Sequence, residues 1–391
     1  MLAFNFVPTS SFVSAVAFVA AHAKGTIAPI HKYLLLKVQD NGVVSVQATN
    51  GSYYLGRSCR VDAVREGGSV CLDAGKFSAI LAKLPSDAQS VSVDIVEDAG
   101  RITGEVKAGR SRFKLVGESP VQFPQPELCS NHFKFTVPAA QMVAALDKAN
   151  RVAPSNDCRA ILNSVLMEVS ATGDCAVVAS DGMRLAKKEF RIGSFSLPAD
   201  HPTDSLKMVM PKQQVGQLIS LIGRNNAKEL VFVVDRNRVA VIDPSQGWRL
   251  QFSLVDGQYP NWRSVVPRPS EGWTSIELER EALIGCLERA RILADEKKCT
   301  IALSLNGSEL SITSSNGDRE EGAIEQMTCA SSSGKKALRV CFNANFLLQA
   351  VTGLVGAVVR LTLDGDNTQS AGLLEADSDA LALQVVSQYR A

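Results

Sequence analysis

One unit recurs six times along this 391-residue chain: a short apolar strand, a polar or proline-containing break, then a helical pattern. The copies read "FNFVPTSSFVSAVAFV", "VCLDAGKFSAILAKL", "FTVPAAQMVAALDKA", "MVMPKQQVGQLISLI", "IELEREALIGCLERA" and "VCFNANFLLQAVTGL". In each, an apolar strand residue is followed five places later by the first apolar helix residue. The pairs are Val7 and Phe12, Leu72 and Phe77, Val137 and Met142, Met210 and Val215, Leu278 and Leu283, and Phe342 and Leu347. Apolar residues recur four places further on (Val16, Leu81, Leu146, Ile219, Leu287, Val351) and seven places further on (Val19, Leu84, Ala149, Ile222, Ala290, Leu354). That stripe is one face of an amphipathic helix, and something apolar must cover it. Successive units start roughly 65 to 75 residues apart, which is too long for a solenoid repeat and suits half a domain.

Between the helical patterns lie segments of alternating polarity: "HKYLLLKVQ", "VVSVQAT", "SVSVDIV", "SRFKLVG", "LMEVS", "CAVVAS", "LVFVVD", "RVAVID", "IALSLN", "ELSITSS", "VVRLTLD" and "ALALQVV". A period of two, broken by Asp, Gly and Asn turns, predicts antiparallel sheets with one face against the helices. The chain is longer than one hydrophobic core can organise. The expected fold is α+β: three similar domains, each with two helices packed on antiparallel sheet. Pro-rich polar stretches, "ESPVQFPQPELCSNH" and "SVVPRPSEGWT", put the boundaries at residues 1–130, 131–268 and 269–391.

Composition excludes several classes. The formal net charge of +1 gives no global attraction to nucleic acid or membrane, so any DNA contact must come from a local grouping of Lys and Arg. The nine cysteines are scattered without a C-x-x-C pair, which predicts free buried thiols in a reducing compartment. The N-terminal run "FVSAVAFVAAHA" lacks the basic flank of a signal peptide, is interrupted by Ser14 and is preceded by Pro8. No run is long enough to span a bilayer, and the expectation is a soluble cytoplasmic protein. The histidines, His22, His31, His132 and His201, have no neighbours at nucleophile or metal spacing. A G-x-x-x-x-G-K-[ST] phosphate loop is missing too. The chain is expected to be no enzyme and to carry no cofactor or metal. Asp181, followed by Gly182, is a turn former by its own chemistry.

Five motifs, in order on this repeat, carry a resemblance. "ASDGMRLA" is similar to the Thr-Asp-Gly-His-Arg-Leu-Ala turn of the bacterial beta sliding clamps, the processivity subunits of replicative DNA polymerases. "GRSRFKL" resembles that family's first-domain strand and "LVDGQYPNWRSVVP" its second-domain exit; "LNSVLMEV" and "FNANFLLQAV" match as well. The resemblance implies a head-to-tail homodimer of three-domain subunits that closes into a ring around double-stranded DNA without reading its sequence. A clamp loader would place the ring, and DNA polymerase subunits and other proteins would dock through short peptides. The alternatives are a diverged paralogue with altered partner specificity and a protein-only interaction scaffold.

Residue by residue, the DNA candidates lie on or beside the repeat helices: Lys24, Lys83, Lys148, Arg151, Lys212 and Arg224, with Arg289 and Arg291 in the fifth unit. Such side chains would meet phosphates and position the duplex only. Where the family tends to place aromatic residues beside the third helix, this chain has Ala160 and Ile161. For closure, the resemblance sets Phe113 and Leu115 against Ile292 and Leu293 of the next subunit. Lys76, Arg110 and Arg112 would face Glu320, Glu321 and Glu325. The partner-peptide pocket maps to Leu162, Ser180, Gly182, Met183, Arg184, Leu185, Pro260 and Val265, walled by the tail Ser387, Gln388, Tyr389 and Arg390. Departures from the family gather at this site. Met183 stands at a usual His, Ser264 at a usual Arg, and "SQYRA" replaces a tail closer to Met-Pro-Met-Arg-Leu. They imply a pocket that persists with altered peptide preference.

Overall fold

The six stripes become six α-helices: α1 (Ser11–Ala20), α2 (Ala74–Ala82), α3 (Ala139–Val152), α4 (Lys212–Asn225), α5 (Arg280–Ile292) and α6 (Ala344–Thr352). The computed structural model describes residues 1–389 apart from 26, 86–87, 128, 130–132, 194, 196–204, 317–320, 336, 365–369 and 380. The polar break before a helix often supplies its cap. Asp73 accepts from Lys76 N at 2.8 Å, Asn343 accepts from Phe346 N at 3.1 Å, and Glu279 accepts from the first-turn amides of α5. Each cap satisfies an amide that the helix itself leaves without a partner.

The stripes are buried with three exceptions, one of them Leu84, which is half-buried against the first core. Val7 is exposed because the strand Leu2–Phe6 alternates Leu2, Phe4 and Phe6 inward, so Phe6 is the true anchor of the first unit. In α4, Ile219 is half-buried while Leu218 is fully buried. Residues three and four places on from Val215 share one helix face, so the stripe there leans by one position.

The chain forms two compact units, Met1–Ala139 with Leu221–Leu254, and Ala140–Ser220 with Val255–Ala391. The first unit is built on one thirteen-stranded sheet. In it the strand Trp248–Ser253 pairs antiparallel with Tyr53–Arg60, Leu250 opposite Leu55. Its core joins Phe4, Phe6, Phe12 and Phe77 with Leu34, Leu36 and Val93, and the four rings stack edge and tilt at centroid separations of 4.8 to 6.3 Å. The second unit holds a nine-stranded and a four-stranded sheet. There Arg184–Arg191 pairs antiparallel with Ala382–Ser387, and the faces of α5 and α6 (Leu283, Leu287, Leu347, Val351) close a core with strand residues such as Leu303 and Ile312. Residues 131–268, expected as a middle domain, contribute strands to the large sheets of both units.

The nine cysteines are free, and burial pushes the thiols of Cys59 and Cys71 up to about 11 and about 12, which keeps them protonated. Replacing the buried stripe residue Leu287 by Ala should cost about 2–5 kcal/mol, whereas Val7→Ala should stay within about 0.5 kcal/mol. Thermal melts of the two variants beside the parent chain measure the difference.

Candidate functional site

The turn between strands Asp174–Ser180 and Arg184–Arg191 is held by its own polar atoms. Asp181 Oδ1 accepts from Met183 N and Arg184 N, both at 2.9 Å. Ser180 Oγ donates to Arg184 O at 2.8 Å and accepts from Gly182 N at 3.1 Å. Gly182 has φ +89°, and a Cβ there would lie 3.0 Å from the Arg159 guanidinium nitrogens. Only glycine meets both conditions without strain. With the backbone tied in this way, Met183 is left 40% exposed at the tip.

Beneath the turn lies a small apolar cluster separate from the helical core of this unit. Leu162, Leu166, Val178, Leu185, Tyr259, Trp262, Leu373 and Val385 form it, with Ile161, Val266 and Leu383 at the margin. Tyr259 Oη accepts from Ser180 N at 3.0 Å, and burial pushes its phenol up to about 12, so it stays uncharged. The Arg263 guanidinium stacks over Trp262 at 4.2 Å. Pro260 and Val265 are exposed beside this cluster in sequence, and Ser264 uses its hydroxyl on Asn261 O at 2.7 Å. The tail passes alongside: Ser387 N donates to Met183 O at 2.8 Å and Tyr389 N to Cys341 O at 2.8 Å. Gln388 is buried, and Arg390 lies outside the described residues. The structure therefore brings Leu162, Ser180, Met183, Leu185 and Ser387 together.

Arg184 is placed otherwise than its neighbours suggest. Its side chain is only 10% exposed and each of its three nitrogens donates within the chain. Nε donates to Asp181 Oδ2 at 2.8 Å and Nη1 to Gln349 Oε1 at 2.5 Å, while the guanidinium lies 4.4 Å over the Phe346 ring. It joins the turn to α6, and Met183 provides the exposed lip.

The basic candidates separate into three groups. Lys24, Lys83, Arg151 and Arg224 are exposed, Arg151 in an i,i+4 pair with Asp147 at 2.8 Å. Lys212 is half-buried and donates to Ala153 O; burial, then the nearby Arg184 charge, lowers its ammonium from the ordinary value. Lys148 is not on the surface. It is buried in an ion pair with Asp379 at 2.6 Å, because its position on α3 faces the loop before the last strand rather than solvent. Of the fifth-unit residues, Arg291 donates to Asn345 Oδ1 at 3.3 Å.

Two of the open strand edges bear on the expected closure. Ser111–Glu118 is paired along its length with Arg101–Ala108, but on its other side only Gly117 and Glu118 are paired among the described residues. Glu321–Thr328 is the outermost strand of the four-stranded sheet. On the first strand Phe113 and Leu115 rest half-buried on the core, while Arg112 and Val116 face solvent; Lys76 and Arg110 are exposed as well. Ile292 is 76% exposed at the end of α5 and Leu293 is half-buried. Glu321 is exposed and Glu320 lies outside the described residues. Glu325, expected to wait for a partner subunit, already has one within the chain: Arg289 grips it through two nitrogens at 2.9 and 2.7 Å and holds its carboxyl below the usual range. Val116 and Ile324 are further large apolar side chains exposed on these edges, not among the residues expected there, although the alternation of each strand contains the signal. Tyr259 and Trp262, inside "LVDGQYPNWRSVVP", join the apolar cluster under the turn, which their residue type alone does not announce. Among the described residues, no three His, Cys, Asp or Glu side chains are grouped to hold a metal ion, and no helix is long and apolar enough to cross a membrane.

Comparisons with known proteins bear on the chain as a whole. Residues 6–127 match the family model for the DNA polymerase III beta subunit, N-terminal domain, and residues 263–389 that for its C-terminal domain. The chain is 27% identical over 362 residues to the beta sliding clamp of Vibrio cholerae, covering 93% of this chain and 92% of that protein. With the Escherichia coli beta sliding clamp it shares 28% over 362 residues, covering 92% of each. A crystal structure of the DNA polymerase sliding clamp from Pseudomonas aeruginosa superimposes with a TM-score of 0.86 at 25% identity, each chain covered completely.

A pH dependence follows from Glu168, two residues along the strand Ser164–Ser170 from Leu166 of the apolar cluster. Its carboxylate is buried and accepts from Arg263 at 2.8 Å and Ser205 at 2.9 Å. Burial raises its pKa, but those two bonds and the Arg263 charge outweigh it, and the net value falls below the ordinary 4.5. A depressed folded value gives stability that is complete above the ordinary carboxylate value and disappears as the pH falls through the lower one. Between about pH 5 and about pH 3 the parent chain should therefore lose more melting temperature than Glu168→Gln.

Proposed function

We propose a processivity role for this chain on one premise: it belongs to the bacterial beta sliding clamp family, the beta subunit of DNA polymerase III. The chain acts as a DNA sliding clamp. It encircles duplex DNA as a head-to-tail homodimer of three-domain subunits, with boundaries near residues 130 and 268, and tethers the replicative polymerase in the cytoplasm. It carries out no catalysis of its own; its part in synthesis is to keep the polymerase from diffusing away.

The observation that carries the dimer is the pair of open edges. A strand edge presents unpaired N–H and C=O groups, and a second copy can complete it. Glu321–Thr328 of one copy adds to Ser111–Val116 of the next, with Ile292 and Leu293 packing against Phe113 and Leu115. Two such contacts between different patches close a ring of two. Lys76, Arg110 and Arg112 meet Glu321, while Glu325 orients Arg289 within its own subunit.

Lys24, Lys83, Arg151 and Arg224 hold the duplex through phosphates, which leaves it free to slide because no base edge is read. Partner peptides bind at Met183, over the floor made by Leu162, Leu185, Tyr259, Trp262 and Val385, with the tail as one wall. An apolar floor rimmed by polar groups suits apolar peptide anchors.

Sedimentation measures the dimer directly. The parent chain should run at twice its 41.8 kDa monomer mass, and Ile292→Asp, on a side chain already exposed, at 41.8 kDa. A monomeric parent, or a variant that stays dimeric, contradicts the proposal.

A further inference from the structure

Among the described residues, the most buried ionic group of the second unit is a knot of three charges. Asp379, in the loop before the last strand, is 5% exposed at its side chain and accepts from Lys148 Nζ at 2.6 Å through one oxygen and from Lys188 Nζ through the other. Lys148, on α3, is 6% exposed and also donates to Gly353 O at 2.6 Å. Stripping two ammonium groups and a carboxylate of water costs several kcal/mol per ion, and apolar residues of similar volume often do as well or better for stability. Stability alone is therefore a weak reason for such a knot. The better-attested use of a buried polar group is to select one register among several.

A register is at stake here. Ala382 N donates to Asp379 O at 2.8 Å, and the strand Ala382–Ser387 starts at that point. Lys188 lies directly opposite Ala382. From there the ladder runs Lys187 to Leu383, Ala186 to Gln384, Leu185 to Val385 and Arg184 to Val386, ending with Ser387 N on Met183 O. Leu383 and Val385 belong to the cluster under the turn, whereas Ala382 and Val386 belong to the helical core on the other side. Because both faces carry aliphatic residues, the apolar pattern of "ALQVVS" discriminates poorly between registers. A slip by one residue would put Gln384 into the cluster and take Val385 out of it. The Lys188–Asp379 contact marks by charge which residue stands opposite which.

We propose that Asp379 is a positioning residue for the peptide site: through Lys148 and Lys188 it fixes the register of strand Ala382–Ser387 on strand Arg184–Arg191, and so holds Val385 and the tail against Leu185 and Met183. Asp379 touches no peptide in this account. Its effect on peptide binding rests on the proposed role of the Met183 cluster, whereas its effect on register does not.

Two readouts on the full-length protein separate those claims. The first is amide hydrogen exchange in the free protein; the second is affinity for a dye-labelled pentapeptide bearing leucine and phenylalanine side chains. Asp379→Asn should speed exchange at Leu383–Ser387 by about tenfold or more while strand Thr300–Asn306 keeps its protection. It should weaken the peptide by about fivefold or more, and Asp379→Glu should recover part of both. Lys188→Met, which leaves Asp379 paired with Lys148, should reproduce the pattern more mildly and serves if Asp379→Asn does not fold. Lys188→Met combined with Asp379→Asn should be no worse than Asp379→Asn alone, because both act on one contact. Unchanged exchange in Asp379→Asn and Lys188→Met, or acceleration spread evenly over the unit, overturns the proposal. If the parent chain fails to bind the pentapeptide while exchange responds only at Leu383–Ser387, the register claim stands and the peptide reading of the Met183 cluster falls.

Discussion

A helix of nine to fourteen residues, as all six are here, has too few internal hydrogen bonds to hold itself in water. Its apolar face must be covered, and in this chain the cover arrives from strands that directly precede it and from those that follow. Every other feature hangs on that constraint. In the second, fifth and sixth units the spacing of five residues lets one strand residue and the first helix residue enter the same core (Leu72 with Phe77, Leu278 with Leu283, Phe342 with Leu347), and in the first Phe6 takes the place of Val7 beside Phe12. The outer faces of the sheets and the strand edges are then free for charge, pairing and recognition.

The second consequence is electrostatic. Several charged side chains that a linear reading would leave in solvent are used inside the second unit. Arg184 spans from its turn to Phe346 and Gln349, Lys148 and Lys188 converge on Asp379, and Arg289 holds Glu325. A near-neutral chain that must still meet phosphates cannot commit all its cations in this way, and it does not. Lys24, Lys83, Arg151 and Arg224 remain exposed. In the proposed clamp the surface cations would meet DNA loosely, as a sliding contact requires, while the buried ones tie elements of the second unit together.

The helices and most strands were legible because period and burial coincide. "RVAVID" became the strand Arg238–Asp243 and "VVSVQAT" the strand Val43–Thr49 without a residue of difference. Val7 misled because an apolar residue in a strand is read as inward until the alternation from Leu2 and Phe4 is followed through. At the candidate site, the turn chemistry of Asp181 and Gly182 and the apolar Leu162 and Leu185 were visible in order, since they depend on local sequence and residue type. The inward course of Arg184 and Lys148 was not, because their partners lie 165 and 231 positions away along the chain. Sequence states that a side chain carries charge; only the fold states whether another charge is waiting for it.

All of this converges on a topological claim, that the protein holds DNA by surrounding it rather than by gripping it. The direct measurement is retention on a nicked circular plasmid after loading, followed by cutting the plasmid at one site. Release that is slow from the circle and fast once it is linear is the predicted result. Equal retention on circle and linear DNA, or no retention on either, would contradict it.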